Sequence, residues 1–459
     1  MEITAKKIKS KIENGKSDKD TKYNVLPSDV QDVLKKHMLV DGFDITIDLE
    51  KSSGSYLYDS KHNRRLLDFF TFVASNPLGM NHPGLNNEEF IHEIGKVAVN
   101  KPSLSDIYTE VQAEFVKTFF EIAVPSYFKY SFFIEGGAMA VENALKTAFD
   151  WKVRKNFKKG YKEEKGHQVI HFKEAFHGRS GYTMSLTNTD PTKILYYPKF
   201  KWPRISNPKI TFPLNEENLN KVIAAEKESI TQIKDAIQNN KDDIAALILE
   251  PIQGEGGDNQ FRKEFFEQLR QICDESEILL IFDEVQTGIA LTGKWWAHMH
   301  YVKPDLISFG KKTQVCGILS TDRIDDVEEN VFRKPSRINS TWGGNIVDMK
   351  RFKKILEIID EEKLVDNCRI QGDYLQKKIT ELSFKYPDKI SNPRGLGLFC
   401  AFDCREIDMR NKALSKSLEK GLLVLGSGEK SIRFRPPVNV TSQQIDEGIK
   451  IIDDVFHSI

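Results

Sequence analysis

The chain has 459 residues, with 67 Lys+Arg against 67 Asp+Glu, so no net field favours nucleic acid or an anionic membrane as partner. An apolar share of 39% with 29% charged residues is that of a soluble globular protein, long enough for one large domain plus smaller ones. Five cysteines (Cys273, Cys316, Cys368, Cys400, Cys404), odd in number and without metal-ligand spacing, point to a reducing cytoplasm and to no bound metal.

The opening stretch "MEITAKKIKSKIENGKSDKD" lacks the apolar core of a secretory signal and reads as a loosely held tail. No apolar run approaches the ~20 residues that span a bilayer. Residues 1–70 are expected to form this tail and a leading segment. "LLDFFTFVAS" then carries strand-like aromatics into "NPLGMNHPGL", whose Pro and Gly mark a loop. From about 100 to 345, short apolar runs alternate with helical patterns, which predicts an α/β fold with a mostly parallel sheet covered by helices. The strand candidates are "YSFFI" (130–134), "HQVIHF" (167–172), "IAALIL" (244–249), "ILLIF" (278–282) and "LISFG" (306–310). Unbroken apolar runs of this kind fit strands buried on both faces. Residues 71–345 thus read as the large domain. Residues 346–459, with long helices, "GLGLFCAF", a charged helix at about 405–420, "SIRFRP" and a last helix opened by Thr441 and Gln444, read as a smaller α+β domain. Cys400 and Cys404 fall in a predicted strand, where they pack as small apolar residues.

Ligands of open parallel sheets bind beyond the carboxyl ends of the strands, so the residue after each strand is informative. After "YSFFI" come Glu135, Gly136 and Gly137, and Ala138, Val141, Ala144, Leu145, Ala148 and Phe149 then recur at helical spacing. A helix starting at glycines presents bare amides suited to a phosphate. Glu250 and Asp283 each end an apolar strand, and a carboxylate there needs a cation or several hydrogen bonds. After "HQVIHF" the segment "KEAFHGRSGYT" offers Phe176, His177 and Arg179, and Lys311 and Lys312 follow "LISFG". Taken singly, Asp283 reads as a helix cap, Phe176 as core, His177 as a satisfied structural histidine, and Lys311–Lys312 as a surface corner. The combination is more specific. One sheet edge gathers an anion site, an aromatic, a buried aspartate and a lysine, and pyridoxal phosphate chemistry needs all four: a lysine for the Schiff base, an aspartate for the pyridine nitrogen, an aromatic to stack on the ring and amides for the phosphate.

"FDEVQTG", "EPIQGEGG", "FHGR" and "RFRPP" make the chain resemble the class III (ω-amino acid) pyridoxal-phosphate aminotransferases of fold type I, from about residue 40 to the C-terminus. Within that class, "FFIEGGAMAVENALKTAFDW", "SFGKKTQVCG" and "NSTWGGN" are similar to the branch that transaminates the ε-amine of lysine; ornithine and 4-aminobutyrate aminotransferases share the scaffold. A non-catalytic cofactor-binding regulator is disfavoured by the intact lysine, aspartate and arginines, and a nucleotide-binding oxidoreductase by the lack of G-x-G-x-x-G after any strand.

The resemblance implies roles. Lys311, seven residues after Pro304, is the Schiff-base lysine, Asp283 the partner of the pyridine nitrogen, Gln286 the contact to the ring hydroxyl and Phe176 the stacking ring. Gly137 and Ala138 give phosphate amides, Glu250 organises the cofactor site, and Thr341 with Ser340 reaches the phosphate across a homodimer interface. Arg179 reads the far carboxylate, Arg433 the α-carboxylate of 2-oxoglutarate, and Glu255 neutralises Arg433 when lysine enters; Asn339 joins the substrate contacts. Lysine separates its α-carbon from its ε-nitrogen by roughly 6 Å, a span that lets the five-carbon 2-oxoglutarate bridge the same pocket. Neighbours in extended chain point to opposite sides, so Lys312 is expected outside the pocket as a structural or surface charge, and Arg435 as a solvated strand charge.

Overall fold

The structure, a computed structural model, describes residues 23–459, so the expected tail of about twenty residues lies outside the described residues. An antiparallel ladder comes first: β1 (Ile47–Ser53), β2 (Tyr56–Asp59) and β3 (Arg64–Asp68). Where sequence reading continued a strand into "FTFVAS", the chain instead coils through four successive left-handed residues, Thr71, Phe72, Val73 and Ala74, with φ of 42°, 52°, 60° and 61°. Such φ values are costly for β-branched and aromatic residues and persist only where the surroundings impose them. Here buried Asp68 accepts hydrogen bonds from the amides of Phe70 (2.9 Å) and Thr71 (2.8 Å), and the Thr71 hydroxyl donates to the carbonyl of Arg435 at 2.8 Å.

The central sheet holds β4 (Phe128–Ile134), β5 (Gln168–Phe172), β6 (Arg204–Ile205), β7 (Ile244–Leu249), β8 (Leu279–Asp283), β9 (Leu306–Phe309) and β10 (Cys316–Thr321). Its order is β4-β10-β9-β8-β7-β5-β6, parallel except for β10, which runs antiparallel to both β9 and β4. All five strand candidates lie in this sheet. The Gly-, Ser- and Thr-containing "CGILST" of β10 and the two-residue β6 were not anticipated, because neither makes a long apolar run.

Every residue of β7 and β8 is buried. Leu279 and Ile281 of β8 pack with Val141, Ala144, Leu145 and Trp151 of the helix Gly137–Lys158, while Leu280 and Phe282 pack on the other face with Phe265, Phe266 and Leu269 of the helix Lys263–Glu275. The alternation along β8 therefore turns Asp283 toward the face covered by the Gly137 helix.

After the long helices Ile346–Glu361 and Leu364–Lys385 come β11 (Ile390–Leu396), β12 (Phe399–Cys404), the helix Ile407–Glu419, β13 (Leu422–Leu423), β14 (Leu425–Ser427) and β15 (Ser431–Phe434). β11-β12-β15-β14 form an antiparallel sheet, whereas β13 pairs parallel with β3 and completes the first ladder. The final helix, Ser442–Ser458, opens with the expected capping box between Thr441 and Gln444. All five cysteines are buried and unpaired. Among the described residues no helix is long and apolar enough to cross a membrane.

Candidate active site

A cavity of about 520 Å³ opens at the carboxyl ends of the central strands. Nine of the predicted site residues line it: Gly137, Ala138, Phe176, Arg179, Glu250, Glu255, Asp283, Gln286 and Lys311. Arg433 is joined to them through Glu255. Asn339, Ser340 and Thr341 do not line it, and Asn339 and Thr341 are exposed.

β4 leads into a helix start without a side-chain cap. Gly136 has φ 93°, a conformation that favours glycine. At Gly137 a Cβ would come within 2.9 Å of Val285 Cγ1, so only glycine lets the helix start sit this close to the end of β8. Unfilled first-turn amides with no side-chain cap suit a phosphate.

Asp283 is more than a cap. One carboxylate oxygen accepts from the amide of Val285 at 3.1 Å, as a capping residue would, but Oδ2 lies 2.8 Å from Nδ1 of His177. The His177 amide is held by Thr187 Oγ1 at 2.9 Å, and its Nε2 is buried without a partner. His177 thus orients the aspartate, a role that its reading as a structural histidine missed although "FHGR" lay at a strand end. Glu250 accepts from the amides of Phe176 (3.3 Å) and Gly254 (3.0 Å) and so ties together two loops of the site. Burial pushes its carboxyl up to about 7, opposed by His177 and aided by the charge of Asp283.

The two lysines follow a different geometry from the one expected. The chain after β9 is not extended: Lys311–Thr313 is a 3-10 turn, and Lys311 itself has φ 53°. Lys311 lines the cavity, where burial lowers its ammonium's pKa against the opposing pull of Asp283. Lys312 is no surface charge; it is 2% exposed and donates to the carbonyls of Gln286 (2.6 Å) and Ala74 (3.4 Å). The turn at Lys311 leaves that side chain on the cavity and its neighbour among buried carbonyls.

Arg435 also departs from expectation. It is 2% exposed, pairs with Asp258, lies 3.3 Å from the centroid of the Phe399 ring and donates to Gln286 Oε1 from Nε (3.3 Å) and Nη2 (3.1 Å). With Oε1 so engaged, the amide nitrogen of Gln286 is the group left to donate to a ligand.

At the substrate end, Arg179 is exposed and forms no ion pair with any described residue. Arg433, 3% exposed, meets Glu255 Oε2 at 3.2 Å, and its Nη1 is buried without a partner. One arginine is thus open and the other covered by a carboxylate.

The family Aminotransferase class-III matches residues 39–456. The chain belongs to the class III aminotransferases. Among curated members of the class, the L-lysine-epsilon aminotransferase of Mycobacterium tuberculosis is 48% identical over 428 residues, covering 93% of this chain and 95% of that protein. A solved structure of the lysine aminotransferase from M. tuberculosis in the internal aldimine form superposes with a TM-score of 0.92 at 47% identity, covering 95% of this chain and 100% of that one. Human mitochondrial 4-aminobutyrate aminotransferase is more distant, 31% identical over 89% of this chain and 84% of that protein. This class III site fits pyridoxal phosphate on its own structure: a glycine cradle for the phosphate, a buried carboxylate oriented by His177, a buried amine and a ring, Phe176, on one cavity wall.

Proposed function

We propose that the chain transfers the ε-amino group of L-lysine to 2-oxoglutarate, giving 2-aminoadipate 6-semialdehyde and L-glutamate, and that it works as a cytoplasmic homodimer. The observation that carries a monocarboxylate donor with a dicarboxylate acceptor is the Glu255–Arg433 pair, 3.2 Å apart, in a site that also holds the unpaired Arg179, and the 48% identical lysine relative supports lysine as that donor. A donor with one carboxylate needs one free arginine, and an acceptor with two needs both.

When bound, pyridoxal phosphate supplies an electron sink and a carrier for the amino group. The amides of Gly137 and Ala138 would hold its phosphate, Asp283 would keep the pyridine nitrogen protonated, Gln286 would donate to the ring hydroxyl and Phe176 would stack on the ring. Lysine lays its carboxylate on Arg179, with Glu255 cancelling the charge of Arg433 near the incoming amine. Lys311 Nζ would be the base placed to take the proton from the ε-carbon, and its burial favours the neutral amine that this task requires. 2-Oxoglutarate places its γ-carboxylate on Arg179 and its α-carboxylate on Arg433.

The large unit of residues 71–345 carries all of these groups except Arg433, which comes from the smaller unit of 346–459. Thr341 and Ser340, away from the cavity of their own chain, fit the phosphate of a second subunit, and exposed Trp342 (40%) beside them suits a covered interface. Five buried, unpaired cysteines fit a reducing compartment.

The test is to incubate the purified protein with lysine, ornithine or 4-aminobutyrate, each with 2-oxoglutarate, and to follow glutamate. Lysine should give the fastest release; faster turnover with ornithine or 4-aminobutyrate would move the chain to that branch. Arg179→Ala should slow both half-reactions, and Arg433→Ala chiefly the one with 2-oxoglutarate. Equal slowing of both by Arg433→Ala would remove the switch.

A further inference from the structure

Glu255 faces two cations, not one. Its Oε2 meets Arg433 at 3.2 Å, and its Oε1 accepts from Lys193 Nζ at 2.6 Å. Lys193 ends the short turn Pro191–Lys193, which Asp190 caps by accepting from the Thr192 amide at 2.9 Å. Its ammonium also lies 5.3 Å from the centroid of the Phe176 ring, so it neighbours two lining residues, Phe176 and Glu255, without lining the cavity itself. The backbone of Glu255 is fixed, its carbonyl accepting from the Gly428 amide at 2.8 Å, which leaves only the side chain to move. Burial opposes the charge of Glu255, but Arg433 and then Lys193 outweigh it and keep the carboxyl below its ordinary value.

A carboxylate that must leave Arg433 needs somewhere to go. Glu255 is only 30% exposed, and a partly buried charge stripped of its partner is costly. Lys193 removes that difficulty, because one oxygen is already bound to it while the other is bound to Arg433. Rotation about the Lys193 contact frees Arg433 and never leaves the carboxylate unpaired.

We propose that Lys193 is the anchor of a carboxylate gate: it holds Glu255 when the acceptor's α-carboxylate takes Arg433, and so makes one pocket serve a monocarboxylate donor and a dicarboxylate acceptor. Lys193 is a positioning residue acting through Glu255. The proposal rests on the reading above in which Arg433 receives the acceptor.

The test uses glutarate, an unreactive five-carbon dicarboxylate, titrated calorimetrically into the holoenzyme of the wild type, Lys193→Met, Lys193→Arg, Glu255→Gln and the Lys193→Met/Glu255→Gln double variant. Lys193→Met should weaken glutarate roughly tenfold and Lys193→Arg should restore it. In the Glu255→Gln background, where no charge remains to hold, Lys193→Met should shift affinity by less than about twofold. An equal loss in both backgrounds would mean that Lys193 touches the ligand or merely supports the fold, and would overturn the gate. Normal wild-type binding with unchanged affinity in Lys193→Met would overturn the role of Lys193 alone. A wild type that neither binds glutarate nor is reloaded by 2-oxoglutarate would overturn the acceptor reading and the gate with it.

Discussion

Arg435 grips Gln286. Two of its guanidinium nitrogens reach the side-chain oxygen of Gln286 at 3.3 and 3.1 Å, and the same guanidinium pairs with Asp258. Both partners of that ion pair are 2% exposed, and removing one member of a buried pair leaves the other charged and unsolvated. Arg435→Met should therefore destabilise the protein by about 3–5 kcal/mol, read from the denaturant midpoint of the holoenzyme. Adding Asp258→Asn should recover much of the loss. A double variant no more stable than Arg435→Met alone would show that the ion pair is not what matters.

The adjacent lysines should differ by covalent chemistry. Borohydride reduction followed by peptide mass analysis should place the cofactor on Lys311 in the wild type and in Lys312→Met, and nowhere in Lys311→Ala. Burial, with the charges of Lys311 and Arg435 behind it, pushes the Lys312 amine well below its ordinary pKa. Its work is to donate to two buried carbonyls, so Lys312→Met should cost ~1–3 kcal/mol of stability. Cofactor found on Lys312 would reverse the assignment.

Asp283 and His177 should be separable by degree. Asp283→Asn keeps the shape but loses the charge at the pyridine nitrogen, and turnover should fall by ~10² or more. His177→Gln, which can still meet Asp283 Oδ2, should lose less than Asp283→Asn does. Pre-steady-state absorbance with lysine alone measures both; a near-normal Asp283→Asn enzyme would reduce Asp283 to the helix cap that its contact with Val285 resembles.

Asp68 should make stability depend on pH. Burial, stronger than its two amide hydrogen bonds, pushes its carboxyl up to about 6 from an ordinary 3.8. Between those values the folded protein holds a proton that the unfolded chain releases, so this contribution is complete below about pH 4 and is lost as pH rises to about 6. The whole change is about 3 kcal/mol. Asp68→Asn keeps the acceptor for Phe70 and Thr71 but cannot ionise, and should flatten the unfolding midpoint across pH 4–6 relative to the wild type. An unchanged slope would mean that other groups set it.

Five of the seven strands of the central sheet were legible in the sequence, together with the residues that gather at their carboxyl ends. Apolar runs of strand length ended at Glu250, Asp283 and Lys311, and the glycines before Ala138 announced a helix start; each signal is local, carried by composition and periodicity within a few residues. What it could not determine are relationships across the chain. Lys193 and Glu255 are 62 positions apart and Arg435 and Gln286 are 149 apart, so nothing in the spacing of either pair announces the contact. Arg435 read as a solvated charge and Lys312 as a structural or surface one, because lysine and arginine are usually solvated; in the fold Lys312 reaches the Ala74 carbonyl at the left-handed turn Thr71–Ala74, and Arg435, just after β15, pairs with buried Asp258. Backbone conformation was equally hidden: which of two adjacent lysines enters the pocket depends on the 3-10 turn at Lys311, imposed where β9 must reverse within six residues into the antiparallel β10. Local propensity chose the elements, and the burial of charges in the folded core decided what those charges do.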